Sequence, residues 1–416
     1  MIALLLGLMF FPSVVAFVKT PILSAHHVLF YAAWLAEICT RWKNVKESLS
    51  TIPLKIPIFF LILGYFATGF EMSGNLTRNM YQGVRIFFDI FGPLFLTYHL
   101  ARSCNREHIL KFLYLPILIF CGFGIIEAAI GANIPYKIIG KAFPVYNGYY
   151  NLNSNIGLSE DWRIRICITT AHPTTLGTIL STLFFLYLPT LKETFFKKSE
   201  KIFLYSALFL TLFLSGSRTA WLCVAGFSAF YFLLRSPLWL KIISGTFFAI
   251  LFSFGMATLI SSFSIEGRGS SLSLRETQLL FTLVQLQEKP LFGHGFNYIH
   301  NTIIERDTYG DQVGNSEIGV LESIVFFILI EQGIIGLLAY LFFFACLIFQ
   351  FFRHRYLGAV AEQGLLTTLS LIAFLLISGR PGGNDYICLS FIGFCLGTLS
   401  ISKAKDKEPQ NSKVIR

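Results

Sequence analysis

Residues 321–351 read LESIVFFILIEQGIIGLLAYLFFFACLIFQF. Its carboxylates are Glu322, where the run begins, and Glu331 farther in. At about 1.5 Å per residue, a helix of this length crosses a hydrocarbon core of roughly 30 Å. Runs of the same kind surround it, at 2–18, 25–40, 52–70, 84–100, 112–131, 166–190, 202–215, 219–234, 242–260, 365–378 and 385–402. Together they make about twelve predicted spans, some of them short or tilted. The 202–234 interval reads as a hairpin of two short helices turned at Ser215-Gly216-Ser217-Arg218.

Composition agrees. Of 416 residues, 54% are hydrophobic and 13% charged, with a mean hydropathy of +0.64. A soluble domain carries roughly 25% charged residues. The expected class is an all-α, polytopic membrane protein. A β-barrel is excluded, because barrel strands alternate in short segments and these runs are continuous. The eight cysteines form no CxxC pair and no disulfide framework, and read as small buried apolar residues. Residues 1–18 have no basic n-region and no small-residue cleavage motif, so a retained first helix is expected.

The net charge of +10 points to no nucleic acid. It collects on alternate loops: Arg41, Lys43 and Lys46; Arg102, Arg106 and Lys111; Lys192, Lys197, Lys198 and Lys201; Arg235 and Lys241; Arg353 and Arg355; then Lys403, Lys405, Lys407, Lys413 and Arg416. With both termini cytoplasmic, the positive-inside rule puts every basic loop inside. The loops 19–24, 71–83, 132–165, 216–218, 261–320 and 379–384 then lie outside. Residues 1–402 form a single integral membrane domain, with a large outer loop at 261–320 between spans nine and ten. Residues 403–416 read as a disordered cytoplasmic tail.

The outer side is where the positive-inside rule expects few arginines, yet Arg165, Arg218, Arg275 and Arg380 all fall there. Four cations on that face suggest an anionic ligand such as a lipid diphosphate. For Arg218 two readings stand: a side chain snorkelling to water, or a phosphate clamp aimed outward by a tight turn. Arg275 opens an amphipathic helix at 273–288 lying in the interface, either as a solvated first-turn residue or as a second cation on the same anion. His300 in the outer loop is a surface residue or a general base. Glu322 is a residue favoured by a helix N-terminus or the base itself. His294 and His300 do not have zinc-site spacing. His172-Pro173 reads as a kink inside span 166–190. Arg85 and Asp89 lie at i, i+4 and are expected to pair, whereas Glu127 has no evident partner. No P-loop, GxGxxG or GxSxG pattern is present, so nucleotide-driven chemistry is unsupported.

Four features resemble the O-antigen ligase and O-antigen polymerase superfamily of bacterial envelope glycosyltransferases. These are LFLSGSRTAWLCVAG in the hairpin, Arg275 before a helix ending KPLFGHGF, the long loop after the ninth span, and ILIEQGIIGLLAYLFFF opening the tenth. The resemblance implies a GT-C-like, metal-independent transferase with no cofactor in the bacterial inner membrane. It implies transfer of glycan from undecaprenyl diphosphate to a glycan or lipid A-core acceptor on the periplasmic face. By position, Arg218 and Arg275 match the arginines that hold the diphosphate, joined here by Arg165 and Arg380. The ligase pattern places His-Asn about a dozen residues before its GliG motif. Here Glu322-Ser323 stands at that distance before Gly333-Ile334-Ile335-Gly336, and the only His-Asn, His300-Asn301, is much farther upstream. Either an insertion displaces the histidine or Glu322 replaces it, which favours a repeat-unit polymerase over a ligase. A flippase or transporter would need mid-membrane charges and repeat symmetry. Only Arg85, Asp89 and Glu331 offer the first, and no repeat is present.

Overall fold

The computed structural model describes residues 1–11, 16–18, 23–71, 76–135, 137–138, 165–170, 172–237, 239, 246, 271–296, 298–299, 321, 323–378 and 385–407. The architecture is helical. In chain order the described α-helices are α1 (Ile2–Phe10), α2 (Ala25–Thr51), α3 (Lys55–Glu71), α4 (Leu76–Ala101), α5 (Arg106–Ile130) and α6 (Pro173–Tyr187). They continue with α7 (Lys198–Ser215), α8 (Arg218–Arg235), α9 (Ser271–Glu288), α10 (Ile324–Arg353), α11 (Ala359–Ser378) and α12 (Asp385–Lys407). A short antiparallel pairing joins Ala16–Val18 to Leu23–Ser24.

Among the described residues, five helices are long and apolar enough to cross a membrane, or six if the pair α2 and α3, bent by 95°, is taken as one span. Their outer surfaces agree. On α10, Ile334, Leu338, Leu341, Phe342, Phe349 and Phe352 are exposed. They recur at helical spacing and form an apolar stripe that suits hydrocarbon. This is a membrane protein.

Three expectations change. The first helix ends at Phe10, not near residue 18, because Phe11 precedes Pro12 and takes an extended conformation, φ −82° and ψ 129°. Helix α6 begins at Pro173: His172 is its N-cap and the proline its first residue, so His172-Pro173 starts a helix and does not kink one. Helix α12 continues to Lys407, into the stretch expected as a disordered tail.

The helices pack through small residues. Gly393 and Gly397 of α12 lie against the Leu94 and Tyr98 carbonyls of α4, where a Cβ would stand 2.3 and 2.6 Å away. Spacing of this kind lets helix backbones approach closely inside a membrane. Between α2 and α4, Asp89 accepts a hydrogen bond from the Tyr31 hydroxyl at 2.6 Å. It also meets His27 at 3.4 Å and Arg85 at 3.5 Å. The expected Arg85–Asp89 pair is thus part of a larger half-buried network.

The polar ends sort into two sets. At one end, Arg106 from the start of α5 pairs with Glu193 at 2.8 Å and donates to Gln363 of α11 at 2.9 Å. Arg235, closing α8, pairs with Glu362 of α11. Arg102 donates to Thr51, which closes α2, at 2.8 Å. These are loops singled out by their basic charge. Arg165, Arg218 and Arg275 lie at the opposite end.

Candidate functional site

Residues 165–170 run beside the end of α7. The Ile166 amide donates to the Leu214 carbonyl at 3.3 Å, and Arg165 Nε donates to the Ser215 carbonyl at 3.3 Å. Helix α7 then closes on Gly216 in the left-handed region, φ +61°. That conformation favours glycine, and a Cβ there would also stand 3.1 Å from Arg165 Nε. Ser217 caps α8 by accepting from the Ala220 amide at 3.4 Å. Arg218 is the first residue of α8.

Arg218 is exposed and has no hydrogen-bond acceptor or carboxylate partner among the described residues. Arg165 has only the Ser215 carbonyl among them. Loss of hydration holds the Arg165 pKa below the usual arginine value, and the charge of Arg218 pushes it in the same direction. Two guanidinium groups near enough to repel, neither paired with a carboxylate among the described residues, make a local excess of positive charge that an anion would neutralise.

The stretch bearing Arg165 is held from α5. Glu127 accepts from the Cys167 amide at 2.9 Å and the Ile168 amide at 2.8 Å. Asn133 donates to Glu127 at 3.1 Å and to the Ile168 carbonyl at 2.7 Å. Ile168 needs this clamp, since its φ of +54° is a conformation a β-branched residue rarely adopts.

His172 stands beside them. Its Nδ1 accepts from the Thr174 amide at 3.2 Å and lies 2.6 Å from the Thr174 hydroxyl. Helix α6 meets the first turn of α8 closely: a Cβ on Gly177 would stand 2.7 Å from Ser217 Oγ. Arg275, in α9, donates to the Ile377 carbonyl near the end of α11 at 3.2 Å. The Arg235–Glu362 pair makes α8 and α11 antiparallel. Arg218 and Ile377 are then each about four to five helical turns from that pair, so Arg218 and Arg275 stand at similar height.

Helix α10 carries the second feature. It is broken at Gly333, with φ +66° and ψ −164°. The turn after α9, residues 290–295, fills the break. His294 and Gly295 amides donate to the Ile330 and Glu331 carbonyls at 2.8 and 2.9 Å. In return, Ile334 and Ile335 amides donate to the Pro290 and Leu291 carbonyls at 2.9 and 3.1 Å. A broken membrane helix exposes polar backbone groups that hydrocarbon cannot satisfy, and this clasp satisfies them.

Residues 203–341 match the family model described as O-antigen ligase. The match bears out the resemblance to the O-antigen ligase and polymerase superfamily. It covers about a third of the chain, from α7 into α10, and takes in Arg218, Arg275 and both halves of the clasp. Arg165, His172 and Arg380 lie outside the matched segment. No curated protein matches the chain.

Within that segment His294 has a structural place. Its Nε2 lies 3.0 Å from the Gln285 carbonyl and its ring stacks on Tyr298 at 4.3 Å. Helix α9 has an apolar exposed side. Gln278 and Thr282 are buried, while Leu279, Leu280, Leu283 and Val284 are exposed. That polarity suits hydrocarbon outside and polar packing inside. His300, Glu322 and Arg380 lie outside the described residues. The clamp on Arg165 and the place of His172 went unread in the sequence. A carboxylate inside an apolar run was the available signal for the first, and His-Pro at a helix start for the second.

Proposed function

We propose that this protein is a membrane glycosyltransferase that moves glycan from undecaprenyl diphosphate onto an acceptor sugar. The observation that carries this reading is the Arg165–Arg218 couple, which has no carboxylate partner among the described residues, with Arg275 at the same end of the bundle. The family match supports it. In the reaction, the acceptor hydroxyl attacks the anomeric carbon, whose bond to the diphosphate oxygen breaks with inversion. Undecaprenyl diphosphate leaves with the bonding electrons. Arg218 and Arg275, with Arg165 and Arg380, stabilise the charge that develops on it. His300 or Glu322 takes the proton of the attacking hydroxyl.

The site faces the periplasm, in an inner-membrane, GT-C-like bundle of about twelve spans with both termini cytoplasmic. Repeat-unit polymerisation is the favoured form of the activity, because Glu322-Ser323 stands where the ligase pattern has His-Asn. Ligation to lipid A-core is the second reading, favoured by the description of the matching family. Arg218→Ala is expected to abolish long-chain glycan while the protein stays in the membrane. An unchanged glycan ladder in that variant would sink the site. Complete loss of attached glycan on deletion marks a ligase, and a single repeat still attached marks a polymerase.

A further inference from the structure

The described part of the cation site contains one group that the proposed transfer does not use. His172 lies where the 165–170 stretch turns into α6, in the field of Arg165, and five residues on Gly177 meets Ser217 beside Arg218. Its Nδ1 accepts the Thr174 backbone amide. A nitrogen that accepts an N–H carries no hydrogen of its own, so the proton of neutral His172 sits on Nε2. Protonating the ring fully would leave Nδ1 able to donate only to the Thr174 hydroxyl, 2.6 Å away, and no longer to accept the Thr174 amide that it caps. Loss of hydration and the charge of Arg165 oppose protonation as well. Neutral His172 therefore presents an N–H and has no free lone pair with which to act as a base.

We propose that His172, through Nε2–H, is a third hydrogen-bond donor to the phosphate oxygens held by Arg165 and Arg218, and a binding group rather than the general base. This rests on the reading of that end as an anion site. A neutral donor suits the place: it adds a hydrogen bond to a charged acceptor without adding a third mutually repelling cation. Histidine supplies both halves, with Nδ1 fixing the helix and Nε2 facing outward from it.

Two substitutions separate the halves. His172→Asn keeps an acceptor at the Nδ1 position, and asparagine is a favoured N-cap, but it lacks the distal N–H. His172→Gln keeps a donor at the Nε2 position and loses the cap. Inorganic pyrophosphate serves as probe, its affinity measured on the purified full-length protein in detergent together with the thermal midpoint. His172→Asn is expected to retain the wild-type midpoint and bind pyrophosphate about tenfold more weakly, the loss of one hydrogen bond to a charged group. His172→Gln is expected to melt earlier and keep most of the affinity. Arg218→Ala reports on the site itself. If Arg218→Ala loses binding while His172→Asn binds like wild type, the role of His172 is overturned and the anion site stands. If Arg218→Ala also binds like wild type, the site is overturned and the proposal with it. Equal losses of midpoint and affinity in both His172 variants would make the residue a cap alone, which also overturns the proposal.

Discussion

Glu127 shows how one buried carboxylate fixes a stretch of chain brought to it by the fold. Its carboxyl holds two consecutive amides, those of Cys167 and Ile168, and keeps Ile168 in a left-handed backbone that a free chain would leave. Removing a partner from a buried amide costs about 1–3 kcal/mol for each amide left unsatisfied. Glu127→Ala is therefore expected to lower the thermal midpoint and, by releasing Arg165, to weaken or abolish long-chain glycan. A glycan ladder of wild-type length from a protein with a lowered midpoint would separate the clamp from the site. Legibility at this scale follows distance along the chain. Arg218 could be singled out because Gly216, Ser217 and Arg218 announce a helix end and a helix start within three letters. Glu127 could only be flagged as a carboxylate needing company, because its partners are brought to it by the fold. His172 is the exception: its cap bond to the Thr174 amide is local, but His-Pro in an apolar run suits a kink as well as a helix start.

Among elements, the break in α10 and the turn that fills it form one unit built on glycine. The conformation of Gly333 is one that essentially only glycine adopts, and a Cβ there would stand 2.4 Å from the Leu291 carbonyl oxygen. A Cβ on Gly293 would stand 2.5 Å from the Glu331 carbonyl carbon. The backbone conformation alone would cost a side chain about 1–3 kcal/mol, and the overlap adds to it. Gly333→Ala should thus destabilise the protein strongly. Gly226→Ala in α8, where nothing lies within 4 Å, should be neutral or stabilising by up to about 1 kcal/mol. Thermal midpoints of the two variants in the same detergent test the contrast; equal midpoints would remove the clasp as a support of the fold. The sequence marked both KPLFGHGF and the Gly333–Gly336 motif as landmarks, but only the backbone hydrogen bonds show that each completes the other. Periodicity likewise identified α9, but which of its polar residues are buried, Gln278 and Thr282, shows only in the fold.

For the whole molecule, the alternation of basic loops was legible before any coordinates, because it depends only on the order of spans and charges. The structure gathers Arg102, Arg106 and Arg235 at one end and Arg165, Arg218 and Arg275 at the other. The first helix escaped that reading: hydropathy continued past Phe10, but the constraint of Pro12 on its neighbour did not. If the cation-bearing end faces the periplasm, a cysteine at Lys137 should react in intact cells with a membrane-impermeant maleimide. One at Ser199 should react only after the cells are opened. The opposite pattern would invert the proposed topology. The clasp has a further consequence at this scale. Residues 290–295 and 330–335 are bonded to each other, so the chain between them leaves and returns at one point. Lengthening such a closed segment is cheap, about 0.6 kcal/mol for each doubling. The segment can therefore change in length and content at little cost to the helices that hold its two ends.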